Sequence, residues 1–146
     1  MRRTKKFSLN KEQKELVITR LTSQMEEMPE IILAFLYGSF LDEGPFGDLD
    51  LALFVNPSCP AAGDKSLEYE LKTEMLLENT TGLPVDVRVL NQAPQPFRYS
   101  VIKNGRLLFC RDEEFYADFL SHTLVSYFDF APYRKRYLKE VLGLEI

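Results

Sequence analysis

Two short apolar runs, residues 31–37 and 48–55, are separated by ten residues that include three glycines and a proline. A linker of that composition cannot continue a helix or a strand, and each run has the length and character of a buried strand. The second run is unusual because it opens on charge. Successive side chains on a strand alternate faces, so Asp48 and Asp50 share one face while Leu49, Leu51, Leu53 and Val55 share the other, which can be buried. Two carboxylates on one strand face stand about 7 Å apart along the backbone and repel each other unless a cation lies between them.

The rest of the chain alternates in the same manner. Residues 8–28 read as a helix, with Leu16, Ile18, Leu21 and Met25 near helical spacing and Ser8 or Asn10 available as its cap. Residues 64–79 read as a second helix marked by Leu67, Leu71 and Met75 and stopped by Gly82. A third strand is expected over 84–90, a short helix over 96–103 and a strand over 106–110. The remainder, 113–142, reads as mostly helical with a break at Pro132. Strands interleaved with helices define an α+β (α/β) domain, a mixed sheet flanked by helices. At 146 residues the chain forms a single domain, 1–146, with a motif core over 31–110 and a C-terminal helical segment over 112–146.

Composition narrows the functional classes. Hydrophobic residues at 45% with charged residues at 27% exclude a disordered chain. A formal charge of −4 argues against direct nucleic-acid binding, which needs clustered positive charge, but leaves room for a local nucleotide site. No apolar stretch approaches the roughly 20 residues that span a bilayer, and no apolar run follows the basic N-terminus as a signal peptide would require. Cys59 and Cys110 match no metal-ligand spacing and make no disulfide framework, so a cytoplasmic protein with reduced thiols is expected. His122, the only histidine, allows no histidine-based triad or zinc site.

The third strand repeats the logic of the second. In residues 84–89, Asp86 and Arg88 share one face and Val85, Val87 and Val89 the other, so the charged face should open to a cleft. If this strand lies beside the Asp48 strand, Asp86 joins the first pair. Three carboxylates could then hold two metal ions that clamp an in-line phosphoryl displacement, or Asp86 could take a proton from an incoming hydroxyl while helping to bind one ion. Oxygen donors of this kind suit Mg²⁺ or Mn²⁺ rather than zinc. Gly38 lets backbone approach a phosphate closely, and Ser39 adds a hydroxyl donor. These parts together describe a site for a nucleoside triphosphate with a divalent metal.

Gly38-Ser39, then Asp48-Leu49-Asp50, then Asp86 on a later strand resembles the polymerase-β-like nucleotidyltransferase superfamily, in particular its minimal (MNT-type) branch, which includes antitoxins paired with HEPN-domain toxins. The resemblance implies that Gly38 and Ser39 hold the triphosphate of ATP; Arg88, from its own place on the charged face of the third strand, is either a further nucleotide-binding residue or the ion-pair partner of Asp86. It also implies that Asp48, Asp50 and Asp86 are the metal-binding and catalytic carboxylates for Mg²⁺ or Mn²⁺. The implied reaction moves AMP from ATP to a hydroxyl, in the toxin-pairing branch a tyrosine of the partner toxin, with room for a homo- or hetero-oligomer. One departure stands out. Where the family loop commonly carries an Arg followed by Gly, this chain has Phe40 to Gly44 with acidic Asp42 and Glu43, which leaves Arg88, Lys103, Arg106 or Arg111 to compensate. That departure keeps open an antitoxin that acts by binding alone. An aminoglycoside nucleotidyltransferase is a third reading, although only about 35 residues follow Cys110.

Overall fold

Asn10 starts the first helix through a reciprocal capping box: its side chain accepts from the Gln13 N–H at 2.8 Å, and the Gln13 side chain accepts from the Asn10 N–H at 2.8 Å. The computed structural model describes residues 5–142, with side chains described through residue 128. In chain order it contains α1 (Lys11–Glu26), β1 (Ile31–Tyr37), β2 (Leu49–Val55), α2 (Ser66–Thr81), β3 (Val85–Val89), α3 (Gln95–Asn104), β4 (Arg106–Cys110) and α4 (Glu113–Leu142). Short 3₁₀ turns occupy Ser39–Leu41 and Pro60–Ala62. The architecture is the expected α+β one. Its mixed sheet has the order β3-β2-β1-β4, with β2 and β3 parallel and the other pairs antiparallel.

Alternation along the strands divides the core into two layers. On one face, Leu36, Leu49, Leu51, Leu53 and Val87 pack with Ile18, Leu21 and Met25 of α1 and Leu77 of α2. On the other, Leu33, Phe35, Ala52, Phe54 and Leu90 pack with Val101 of α3 and Phe119 of α4. Burying each such large side chain contributes roughly 1.5–3 kcal/mol, so both helical layers are integral to the domain.

Three local expectations are corrected. Leu16 is 62% exposed and takes no part in the buried face of α1. Leu67, Leu71 and Met75, which signal α2, point outward, while Thr73 and Leu77 are its buried residues. The reason is that α2 runs along the sheet's edge strand. Glu70, Glu74 and Glu78 accept hydrogen bonds from the N–H groups of Val89, Val87 and Val85 at 2.8, 2.9 and 3.0 Å. Finally, α4 continues through Pro132 without a break. A proline removes one N–H donor from the ladder, which a long helix can lose while its bonds on either side persist. Phe130, Tyr133, Arg134 to Arg136 and Tyr137, an aromatic and basic stretch that could face a partner or solvent, lie outside the described side chains.

Candidate active site

Strand register assembles the site. Tyr37 of β1 stands opposite Asp50 of β2, and Asp50 stands opposite Asp86 of β3, so the three side chains form a row across one face of the sheet. This is the face covered by α3 and α4, but its apolar residues lie farther along the strands, and the row sits at the end those helices leave open. Asp48 lies one residue before β2 and lines the same cavity of about 400 Å³ as Tyr37, Ser39, Asp50, Asp86 and Arg88. The expected site residues are therefore brought together, with Gly38 packed against the Asp50 side chain.

Gly38 is required by two independent facts. Its φ of 85° lies where L side chains are strained, and a Cβ there would collide with the Asp50 carboxylate. The turn it opens is held rigidly. Phe40 and Phe46 are buried edge to face at 4.7 Å, and the Lys14 ammonium donates to the carbonyls of Phe40 and Asp42 at 3.0 and 2.8 Å. Thus Ser39 is presented on an anchored loop, a condition for orienting a phosphate without an entropic cost at each binding event.

The charges differ from the sequence expectation in one respect. Asp42 and Glu43 line a separate depression beside Lys11, Lys14, Glu15 and Arg106, not the carboxylate cavity. Of the four proposed compensating cations, Arg88 alone lines the cavity, where its Nε lies 3.7 Å from Asp86 Oδ2. Arg106 pairs with Glu15 at 2.8 Å, Arg111 donates to the carbonyls of Ile31, Glu26 and Met28, and Lys103 lies over the Tyr99 ring. The cation that sequence reasoning missed is Lys6. Phe7 and Phe46 exchange backbone hydrogen bonds at 2.8 and 3.0 Å, and this pairing delivers Lys6 to the cavity wall beside Gly47. No local motif signals it, because the contact joins segments some forty residues apart.

Tyr37 is a fixed neutral neighbour of the carboxylates. Burial, followed by the charges of Asp50 and Asp86, pushes its phenol well above the usual tyrosine range, and Phe97 packs edge-on against it at 5.6 Å. Among the described residues, no three Asp, Glu, His or Cys side chains stand close enough to form a closed metal cage. Mg²⁺ does not require one. It is held by one or two carboxylates plus water and substrate phosphate, and an all-oxygen wall of Asp48, Asp50 and Asp86 is chemically suited to it. His122 is exposed on α4 and does not line the cavity, and Cys59 and Cys110 are free thiols away from it.

Solved structures share this arrangement of elements. A chain from the complex of a tri-AMPylated Shewanella oneidensis HEPN toxin with its MNT antitoxin superposes with a TM-score of 0.68 at 17% identity, covering 88% of this chain and 98% of that one. A chain of the MntA–HepT toxin–antitoxin complex gives 0.63 at 16% identity, covering 91% and 99%. One from a toxin–antitoxin structure with AMP-PNP gives 0.66 at 18% identity, covering 88% and 98%. Comparison with curated proteins gives no match. The family pattern "Polymerase beta, Nucleotidyltransferase" matches residues 19–114, and the chain belongs to that family.

Proposed function

We propose that the protein transfers AMP from Mg²⁺–ATP to a tyrosine hydroxyl of a HEPN-type partner toxin and thereby acts as its antitoxin in the cytoplasm. The observation that carries this reading is the single cavity lined by Ser39, Asp48, Asp50 and Asp86. Asp48 and Asp50 would hold the ion together with water and substrate phosphate; when bound, it neutralises phosphate charge and polarises the α-phosphorus. The turn after Gly38 and the Ser39 hydroxyl would bind the triphosphate, with Lys6 and Arg88 as the two cations within reach. Asp86 would accept the proton of the acceptor hydroxyl. The new O–Pα bond forms as the bond from Pα to the bridging oxygen breaks, and pyrophosphate leaves with that electron pair.

Support for the partner comes from the fold shared with MNT antitoxins whose solved complexes contain HEPN toxins, one of them tri-AMPylated. The binding-only reading drew on the missing loop Arg and on the aromatic C-terminal segment; the first motive weakens because Lys6 lies on the cavity wall while Asp42 and Glu43 lie outside it. Calorimetric titration of ATP with Mg²⁺ and then with EDTA tests the proposal. Metal-dependent binding is expected in the native protein and its loss in Asp48→Asn/Asp50→Asn, with an unchanged melting temperature. Full binding and transfer by that double variant would sink the reading.

A further inference from the structure

A further depression, of about 600 Å³, adjoins the carboxylate cavity and shares Asp86, Arg88 and Phe97 with it. It runs between α2 and the start of α3, with β3 as its floor. Leu67 and Leu71 form one wall and are 66% and 53% exposed. Leu67 and Leu71 stand one helical turn apart on α2, so their side chains form one apolar strip beside Asp86, and a strip rimmed by polar groups is the kind of surface that meets another molecule.

The floor also constrains what can bind. An edge strand ordinarily recruits a peptide as an added strand through its unpaired N–H groups. Here the outward N–H groups of Val85, Val87 and Val89 already donate to Glu78, Glu74 and Glu70. Strand addition would have to break three charge-assisted hydrogen bonds, so an occupant must engage through side chains. Glu70, Glu74 and Asp86 line the groove against the single cation Arg88, which already faces Asp86, so the groove is acidic on its α2 side and selects a partner bearing positive charge.

We propose that this groove docks an amphipathic, basic helical segment of the acceptor protein, its apolar side chains on Leu67 and Leu71 and its Lys or Arg residues beside Glu70 and Glu74, so that its tyrosine reaches Asp86. The proposal rests on the nucleotidyl-transfer reading above and adds the class of acceptor segment. Bond making and breaking are as given there: the tyrosine Oη–Pα bond forms, its proton passes to Asp86, and pyrophosphate leaves.

The test begins with Mg²⁺–ATP titration of the native protein. Absence of metal-dependent binding overturns the transfer reading and this proposal with it. Given binding, α-labelled ATP is supplied with synthetic single-tyrosine peptides: a helix-forming Leu/Lys peptide, its Glu-for-Lys counterpart, and the Leu/Lys peptide interrupted by proline. The helical basic peptide should be labelled about tenfold faster or more than either counterpart, a difference of about 1.4 kcal/mol. Leu67→Asp/Leu71→Asp should raise its KM by a similar factor and leave ATP affinity unchanged, while Leu16→Asp, equally exposed on α1, should leave both unchanged. Equal labelling of the three peptides, no labelling of any despite ATP binding, or an unchanged KM in the double variant would each overturn the groove while leaving the transfer reading standing.

Discussion

At the scale of single residues, the site depends on a missing side chain and on a cation that arrives from far away in sequence. Gly38→Ala forces a Cβ against the Asp50 carboxylate and into a φ of 85°. With ψ at −165° this is backbone that only glycine adopts readily, and the strain there is about 1–3 kcal/mol before the collision is added, so the variant should fold with reduced stability and lose metal-dependent ATP binding, as thermal melting and calorimetry together would reveal. Lys6→Ala removes a positive charge from the cavity wall. A charge-assisted contact is worth roughly 1.5–3 kcal/mol, so ATP affinity should fall about tenfold or more, AMP affinity should change little, and Lys6→Arg should restore much of the loss. Identical ATP affinities for Lys6→Ala and the native protein would remove Lys6 from the phosphate site. Gly38 was legible because Gly-Ser follows a strand and precedes the aspartates; Lys6 was not, since only the Phe7–Phe46 pairing brings it there.

At the scale of elements, α2 shows why an apolar stripe is an uncertain guide to a buried face. Four residues of helix rise about 6 Å and two residues of strand about 6.6 Å, so Glu70, Glu74 and Glu78 keep step with Val89, Val87 and Val85. A run of glutamates four apart reads in sequence as a solvated face, but here it satisfies the edge of a sheet. The arrangement has an electrostatic cost. Burial first, then the charges of Asp86, Glu70 and Glu78, raise the Glu74 pKa above its usual value, although the Val87 N–H opposes them. A carboxyl whose folded pKa is raised binds protons more readily in the folded state, so its contribution to stability falls as pH rises through the carboxylate range. Glu74→Gln keeps an acceptor for Val87 and removes the charge. It should raise the melting temperature at pH 7, with the gain shrinking as pH falls through the range where carboxylates protonate. A gain that is the same at pH 4 and pH 7 would contradict this account.

At the scale of the whole molecule, the two helical layers leave one end of the sheet open, and that end holds the chemistry. The start of α4 closes the region farther along the strands: Phe119 packs on Phe54 at 5.5 Å and on Phe35 at 6.3 Å, and Phe115 packs on Phe54 at 4.8 Å. This commits the first turns of α4, through Phe115 and Phe119, to the core of the sheet rather than to a separate drug-binding domain. Phe119→Ala should cost about 3–5 kcal/mol in urea unfolding, in one cooperative transition. Retention of full stability would show that α4 is an appendage. Among the described residues no helix is long and apolar enough to cross a membrane.

Alternation of apolar and charged side chains, read directly from the chain, determined which residues form strands, which faces of β2 and β3 are buried, and that Asp48, Asp50 and Asp86 needed an open cleft. These are consequences of local geometry, since a side chain's direction on a strand depends only on its parity. Tertiary structure alone decided that Tyr37, Asp50 and Asp86 stand in one row, that the acidic loop residues face away from it, that Lys6 joins it, and that the leucines of α2 look outward. Those outcomes depend on which strands become neighbours and on what covers each face. They are settled by contacts between distant segments, whose energies no local periodicity records.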